Sequence, residues 1–262
     1  MEGILPDTGR RTLRALGHDL LVTLACWGYF LLAFVLVFWP FYLGALLLPG
    51  RRETRFQRLN NLYYRGFFRL LKTIAPAQQW EIDPAVRAIR GAVVVANHLS
   101  YLDPLLMQAL FHRHKTVVKT GFFRVPIFGW VLWQAGYFPA GGRGRYRQAM
   151  IDQVEGLTQF LDRGGVFFIF PEGHRSRTGQ VGALERGAIK IARLCRAPIE
   201  VLRLDGTGYL FPPGRMLFNA ATANTIRLKR VATIDPGQVS SLTELEGTIK
   251  QALAKPGNGA SR

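Results

Sequence analysis

Between Leu20 and Gly50 the chain carries no charged residue: LLVTLACWGYFLLAFVLVFWPFYLGALLLPG. About twenty consecutive apolar residues span a bilayer as a helix, so this run predicts a membrane-embedded segment. It is too long for the apolar region of a signal peptide, and no small-residue cleavage site follows it. Pro40 interrupts the run and is expected to bend one helix into two. A helical hairpin dipping into one leaflet is therefore favoured over a single tilted spanning helix. Arg10, Arg11 and Arg14 precede the run and Arg51, Arg52, Arg55 and Arg58 follow it, which places both ends on the cytoplasmic side. Trp27, Tyr29, Trp39 and Tyr42 suit an interface as well as a bilayer interior.

The pattern then changes. Leu59, Leu62, Phe67 and Leu70 recur at helical spacing among arginines, an amphipathic connector that either lies along anionic headgroups or docks on the following domain. From about Trp80, short apolar runs alternate with helical patterns. Residues 92–96, 116–119, 166–170, 199–204 and 225–231 read as strands. Residues 104–111, 146–161, 184–196 and 242–254 read as helices, the second region's Met150, Val154, Leu157 and Leu161 lining one face and the last helix opened by Ser240 or Ser241. Strands separated by helices predict an α/β domain with a mainly parallel sheet flanked by helices. The expected organisation is a membrane-associated segment at 1–55, the connector at 56–79 and a catalytic domain at 80–262.

Charge narrows the partner. The 262 residues carry a formal net charge of +17, which calls for an anionic partner: a nucleic acid, an anionic membrane or a phosphorylated substrate. The two cysteines, Cys26 and Cys195, supply no disulfide framework and no metal motif. A cytosol-facing catalytic domain is the default.

Ligands of parallel sheets gather at the carboxyl ends of strands, and two predicted strands end in unusual polar text: VVVA-NHLSYLD and VFFIF-PEGHRS. Asp103-Pro104 is a favoured pair for opening a helix, as N-cap and N1. A histidine just past the strand end lies within reach of that helix start. Asp103 could then accept a bond from His98 Nδ1–H, fix the tautomer and leave Nε2 as a base. In the second loop Gly173 permits a tight turn, and Arg175 and Arg177 could bind phosphate through forked hydrogen bonds.

Together the two loops resemble the glycerolipid acyltransferase family, typified by 1-acylglycerol-3-phosphate acyltransferase. NHLSYLD is similar to its N-H-x-x-x-x-D signature, and FPEGHRS to its F-P-E-G-T-R-S block with His174 in place of threonine. GYFPAGGRGR resembles its second block through Gly136, Phe138 and Arg143, and RAPIEVLRL its fourth through Pro198, Ile199 and Val201. The resemblance covers roughly Trp80 to Leu217. It implies transfer of a fatty acyl group from acyl-CoA or acyl-carrier protein to the free hydroxyl of a lysophospholipid, most simply 1-acyl-sn-glycerol-3-phosphate. It implies His98 and Asp103 as the catalytic pair. Asn97, Arg143, Glu172, Gly173, Arg175 and Ser176 would hold the acceptor. Neither a metal nor a cofactor is expected. The partners are the lysophospholipid, the acyl donor and membrane lipids rather than nucleic acid. The location is a membrane, with the catalytic domain on the cytoplasmic side as at a bacterial inner membrane. Lyso-ornithine lipid or another lysophospholipid is the alternative acceptor.

Other chemistries fit less well. None of the five serines, at 100, 176, 240, 241 and 261, stands in G-x-S-x-G, which disfavours a serine hydrolase. His98, Asp103, His112 and His114 lack the compact spacing of a zinc site. A non-catalytic, membrane-tethered module for anionic lipid satisfies the charge but gives the His98–Asp103 pair no use.

Overall fold

The computed structural model describes residues 12–141 and 144–254. Seven strands form one sheet: β1 (Gln78–Ile82), β2 (Ala92–Ala96), β3 (His114–Lys119), β4 (Phe138–Ala140), β5 (Val166–Ile169), β6 (Ile199–Asp205) and β7 (Asn224–Ile234). Their order is β1-β7-β6-β2-β5-β3-β4. Every neighbouring pair is parallel except β6 with β7. The expectation of a mainly parallel α/β sheet with an apolar N-terminal helix is met.

The β-branched run Ala92–Ala96 is buried on both faces, as a central parallel strand should be. Val94 and Ala96 join a core with Leu106, Met107, Phe67 and Leu71 on one side of the sheet. Val93 and Val95 face the other, against Leu157, Leu161, Ile189, Leu245 and Ile249. A third cluster beneath β4 collects Tyr42, Phe56, Phe123, Leu132, Tyr137 and Tyr146.

The five strands read from the pattern are β2, β3, β5, β6 and β7. The two that escaped it, β1 and β4, are the outermost strands of the sheet. An edge strand buries less and needs less apolar text: QQWEI alternates weakly, and the three residues of β4 include Pro139, which an edge tolerates. The helix expected over residues 146–161 divides into Arg145–Glu155 and Leu157–Asp162 at Gly156. The Leu242–Ala254 helix has the expected limits, with Ser241 Oγ accepting from Glu244 N.

The apolar run does not fold back at Pro40. Leu13–Leu47 is one helix of 35 residues, whose Tyr29–Phe38 stretch has π-helical spacing. Trp39 N–H donates to Phe34 O, one residue further back than in an α-helix. That wider turn accommodates the proline ring and its missing donor. The chain reverses instead at Pro49–Gly50, and the Arg52–Ile74 helix returns beside it, with Arg55 donating to Ala45 O and Pro49 O. This second helix docks on the domain, burying Phe56, Tyr63, Tyr64, Phe67, Phe68 and Leu71.

Candidate active site

The β2 ladder ends at Ala96, paired with Leu202 of β6. Asn97 extends it with its side chain: Nδ2 donates to Leu204 O at 2.8 Å and Oδ1 accepts from Leu204 N at 2.7 Å. This fixes where the chain leaves the sheet. The next three residues wrap around one carboxylate. Asp103 Oδ2 accepts from Leu99 N (2.6 Å), Ser100 N (2.8 Å) and His98 Nδ1 (2.9 Å).

Asp103 is fully buried, while the His98 side chain is 16% exposed. An ionised carboxylate only accepts, so Nδ1 carries the imidazole proton and Nε2 its lone pair. No partner for Nε2 is present among the described residues. The imidazole is stacked on Phe170 at 4.4 Å and 23°, which fixes its plane from a second side.

Asp103 is not the forward cap that the pair with Pro104 suggested. The helix begins one residue earlier, at Leu102, and Ser100 Oγ accepts from Leu102 N while donating to Phe211 O. The carboxylate turns back into the preceding loop because that loop offers two free amides and the imidazole, all converging on Oδ2.

The second loop leaves β5 beside β2. Glu172, 1% exposed, joins the two loops: Oε1 accepts from His98 N at 3.0 Å and Oε2 from Gly182 N at 3.0 Å. A second tie runs from Ser176 N to His98 O at 2.7 Å. Gly173 has φ +67°, and a Cβ there would sit 3.2 Å from Glu185 Cγ. The turn thus favours glycine for its backbone, and a Cβ would press on the Glu185 side chain. Ser176 Oγ closes the loop onto Gln180 O. A cleft of about 330 Å³ lies in this loop, lined by His174, Arg175, Ser176, Arg177 and Thr178 among others. Neither arginine is paired with a carboxylate among the described residues, so the cleft is cationic and open to an anion.

The structure therefore brings His98, Asp103, Asn97, Glu172, Gly173, Arg175 and Ser176 to one end of the sheet. Arg143 lies outside the described residues. The polar atoms of Asn97 and Glu172 are engaged by backbone groups, so these two hold the loops in place. Sequence reading missed Phe170 and Tyr101. Phe170 looked like the last residue of a buried strand. Tyr101, whose ring lies under the Arg175 guanidinium with Cζ 3.5 Å from its centroid, stood at an unspecified position of NHLSYLD. Among the described residues no group of His, Cys, Asp and Glu is arranged to hold a metal.

The site is thus a buried Asp–His pair at the end of a central strand of a mainly parallel sheet, tied to a cationic loop from the adjacent strand. Residues 80–204 match the family model described as Acyltransferase. The chain is similar to the chloroplastic 1-acyl-sn-glycerol-3-phosphate acyltransferase BAT2 of Brassica napus, with 33% identity over 47% of this chain and 35% of the relative. It is also similar to the 1-acyl-sn-glycerol-3-phosphate acyltransferase of Saccharomyces cerevisiae, with 28% identity over 64% of this chain and 56% of the relative. The match spans about a third of the length of the Brassica napus protein and of its counterpart LPAT1 of Arabidopsis thaliana, 35% and 34%. The crystal structure of the 1-acyl-sn-glycerophosphate (LPA) acyltransferase PlsC from Thermotoga maritima shares the fold: TM-score 0.72 and 24% identity, covering 92% of this chain and 95% of that one.

Proposed function

We propose that this chain is a membrane-bound O-acyltransferase that moves a fatty acyl group from an acyl thioester to the free hydroxyl of 1-acyl-sn-glycerol-3-phosphate, giving phosphatidic acid. The observation that carries this reading is the bond of 2.9 Å between His98 Nδ1 and the enclosed Asp103 carboxylate, which leaves Nε2 as the free basic atom. In the reaction, Nε2 takes the proton of the acceptor hydroxyl as its oxygen attacks the thioester carbonyl. Asp103 stabilises the imidazolium that forms. The tetrahedral intermediate collapses with cleavage of the C–S bond, and the departing thiolate takes the proton back from Nε2. A thiolate leaves readily, so no covalent enzyme nucleophile is required. General-base assistance of this kind contributes about 10²–10⁴-fold.

Arg175 supplies the charge-assisted contact to the acceptor phosphate, with Arg143 expected beside it. Ser176 and Gly173 shape the loop that presents Arg175. Asn97 and Glu172 hold the two loops in register. The donor is acyl-CoA or acyl-carrier protein, each anionic and suited to the basic chain.

The test is thiol release from oleoyl-CoA by the full chain, with lysophosphatidate set against other lysophospholipids and lyso-ornithine lipid, wild type beside His98→Ala. Release that needs lysophosphatidate and disappears in the variant is the expected result. A preference for another lysolipid reassigns the acceptor. Absence of release from either donor carrier with any acceptor leaves only the non-catalytic lipid-binding reading.

A further inference from the structure

Tyr101 is 45% exposed and stands three residues after the catalytic histidine, yet no step described above uses it. Its ring carries the Arg175 guanidinium, with Cζ 3.5 Å above the centroid. A guanidinium can give an aromatic ring its flat face and still keep its N–H donors, which lie in its own plane, for another partner. Here Arg175 Nη1 has no hydrogen-bond partner among the described residues. The platform itself is fixed. Tyr101 lies 6.3 Å from Phe211, which is stacked on Phe218 at 4.4 Å and 22°. Phe211 O also accepts from Ser100 Oγ at 2.8 Å, so the backbone beside Tyr101 is tied to the same element.

We propose that Tyr101 is a positioning residue for acceptor recognition: its ring holds the Arg175 guanidinium so that the N–H fork faces a phosphomonoester beside His98. Tyr101 and His98 share one tight turn built on Asp103. Stacking from that turn fixes the distance between the phosphate grip and the base. This inference rests on the acyltransferase reading for its substrate, but the stack makes its own prediction for phosphate binding.

Steady-state kinetics of the full chain with oleoyl-CoA and lysophosphatidate test it. Tyr101→Leu keeps an apolar side chain without the π face, and it should raise KM for lysophosphatidate about tenfold, the size expected of a partly desolvated cation–π contact. Turnover number and KM for oleoyl-CoA should stay within about twofold of wild type. Tyr101→Phe, which keeps the ring, should restore the acceptor KM. Arg175→Lys keeps the charge without the planar fork and should show the same acceptor defect, which covers the case in which Tyr101→Leu does not fold. An unchanged acceptor KM in Tyr101→Leu or Arg175→Lys overturns the proposal. So does a Phe variant as impaired as Leu, or a loss spread equally over both substrates and turnover. Binding of sn-glycerol 3-phosphate, followed by calorimetric titration, separates this from the reaction. Wild type and Tyr101→Phe should bind, and Tyr101→Leu about tenfold more weakly. Binding without turnover sinks the acyltransferase reading and leaves the stack standing. Equal binding by Leu and wild type, or none by wild type, sinks the stack.

Discussion

The decisive residues at this site are set by competition for a single carboxylate oxygen. Asp103 Oδ2 receives two backbone amides and the imidazole, so the loop cannot close without also orienting His98. Asp103→Asn keeps an oxygen for the two amides and the imidazole, which share Oδ2, but removes the negative charge that stabilises the imidazolium. Turnover should fall by about 10²–10⁴-fold with little change in the KM of either substrate. Steady-state kinetics check this, and a variant with near wild-type turnover would remove Asp103 from the mechanism. Glu172→Gln replaces one acceptor with a donor that faces a backbone N–H, either of His98 or of Gly182. Leaving a buried group of this kind unpaired costs about 1–3 kcal/mol, and the expected readout is a lower melting temperature together with lower turnover. The His98–Asp103 pairing could be read from the sequence because a strand end and a helix start lie close together along the chain. The roles of Asn97 and Glu172 could not, because Leu204, the partner of Asn97, and His98, which Glu172 ties to the second loop, are brought near only by the sheet. Tyr101 was illegible for the same reason: nothing local says that Arg175 will lie across it.

Among elements, the interior strands announce themselves because both faces are buried, and β1 and β4 stay hidden because edges make weaker demands. The two N-terminal helices are joined to the domain by a polar network that no periodicity reveals. Tyr42 Oη donates to Asn60 Oδ1, Asn60 Nδ2 donates to Tyr137 Oη, and Tyr137 Oη meets both Gln108 Oε1 and His114 Nε2. His114 Nδ1 bonds Phe111 O at 2.6 Å. His114 is fully buried, and burial pushes its pKa down to about 4. The folded state therefore refuses a proton that the unfolded chain accepts near the ordinary histidine value of about 6.5. Stability from this group is complete above about pH 6.5 and is lost as the pH falls towards 4, by on the order of 3 kcal/mol. Melting temperature measured across that window should decline, and the decline should be shallower in His114→Gln by the equivalent of one proton. A matching slope in the two proteins would place the acid sensitivity elsewhere. The adjoining helix pair is equally tight at Gly66, where a Cβ would collide with the Tyr29 hydroxyl, itself bonded to Tyr63 O at 2.8 Å.

For the whole molecule, the question is how the apolar helix meets a bilayer. Leu13–Leu47 has 35 residues, about 52 Å at roughly 1.5 Å per residue, against a hydrocarbon core of about 30 Å. It is also bonded to the domain and to the returning Arg52–Ile74 helix. His18 Nε2 bonds Ile74 O, Asp19 Oδ1 accepts from Ala220 N and Ala221 N, Thr23 Oγ1 from Phe218 N, and Tyr42 reaches Asn60. Piercing the membrane would carry these buried polar contacts, and the domain making them, into hydrocarbon. Meanwhile Leu20, Leu24, Leu31, Leu32, Val35 and Leu36 face outward, and Phe122, Val125 and Ile127 of the domain are exposed as well. We propose that the helix lies within one leaflet with its inner face on the domain, which reconciles both sets of contacts. Its two ends then lie on the same side of the membrane. Leu13 and Leu48 are 88% and 58% exposed, while Cys26 and Cys195 are buried and should label poorly. In sealed vesicles with the catalytic domain outside, Leu13→Cys and Leu48→Cys should both react with an impermeant maleimide added outside. Labelling of only one of them until detergent is added would mean that the helix crosses the bilayer, and that its bonds to the domain open when it does.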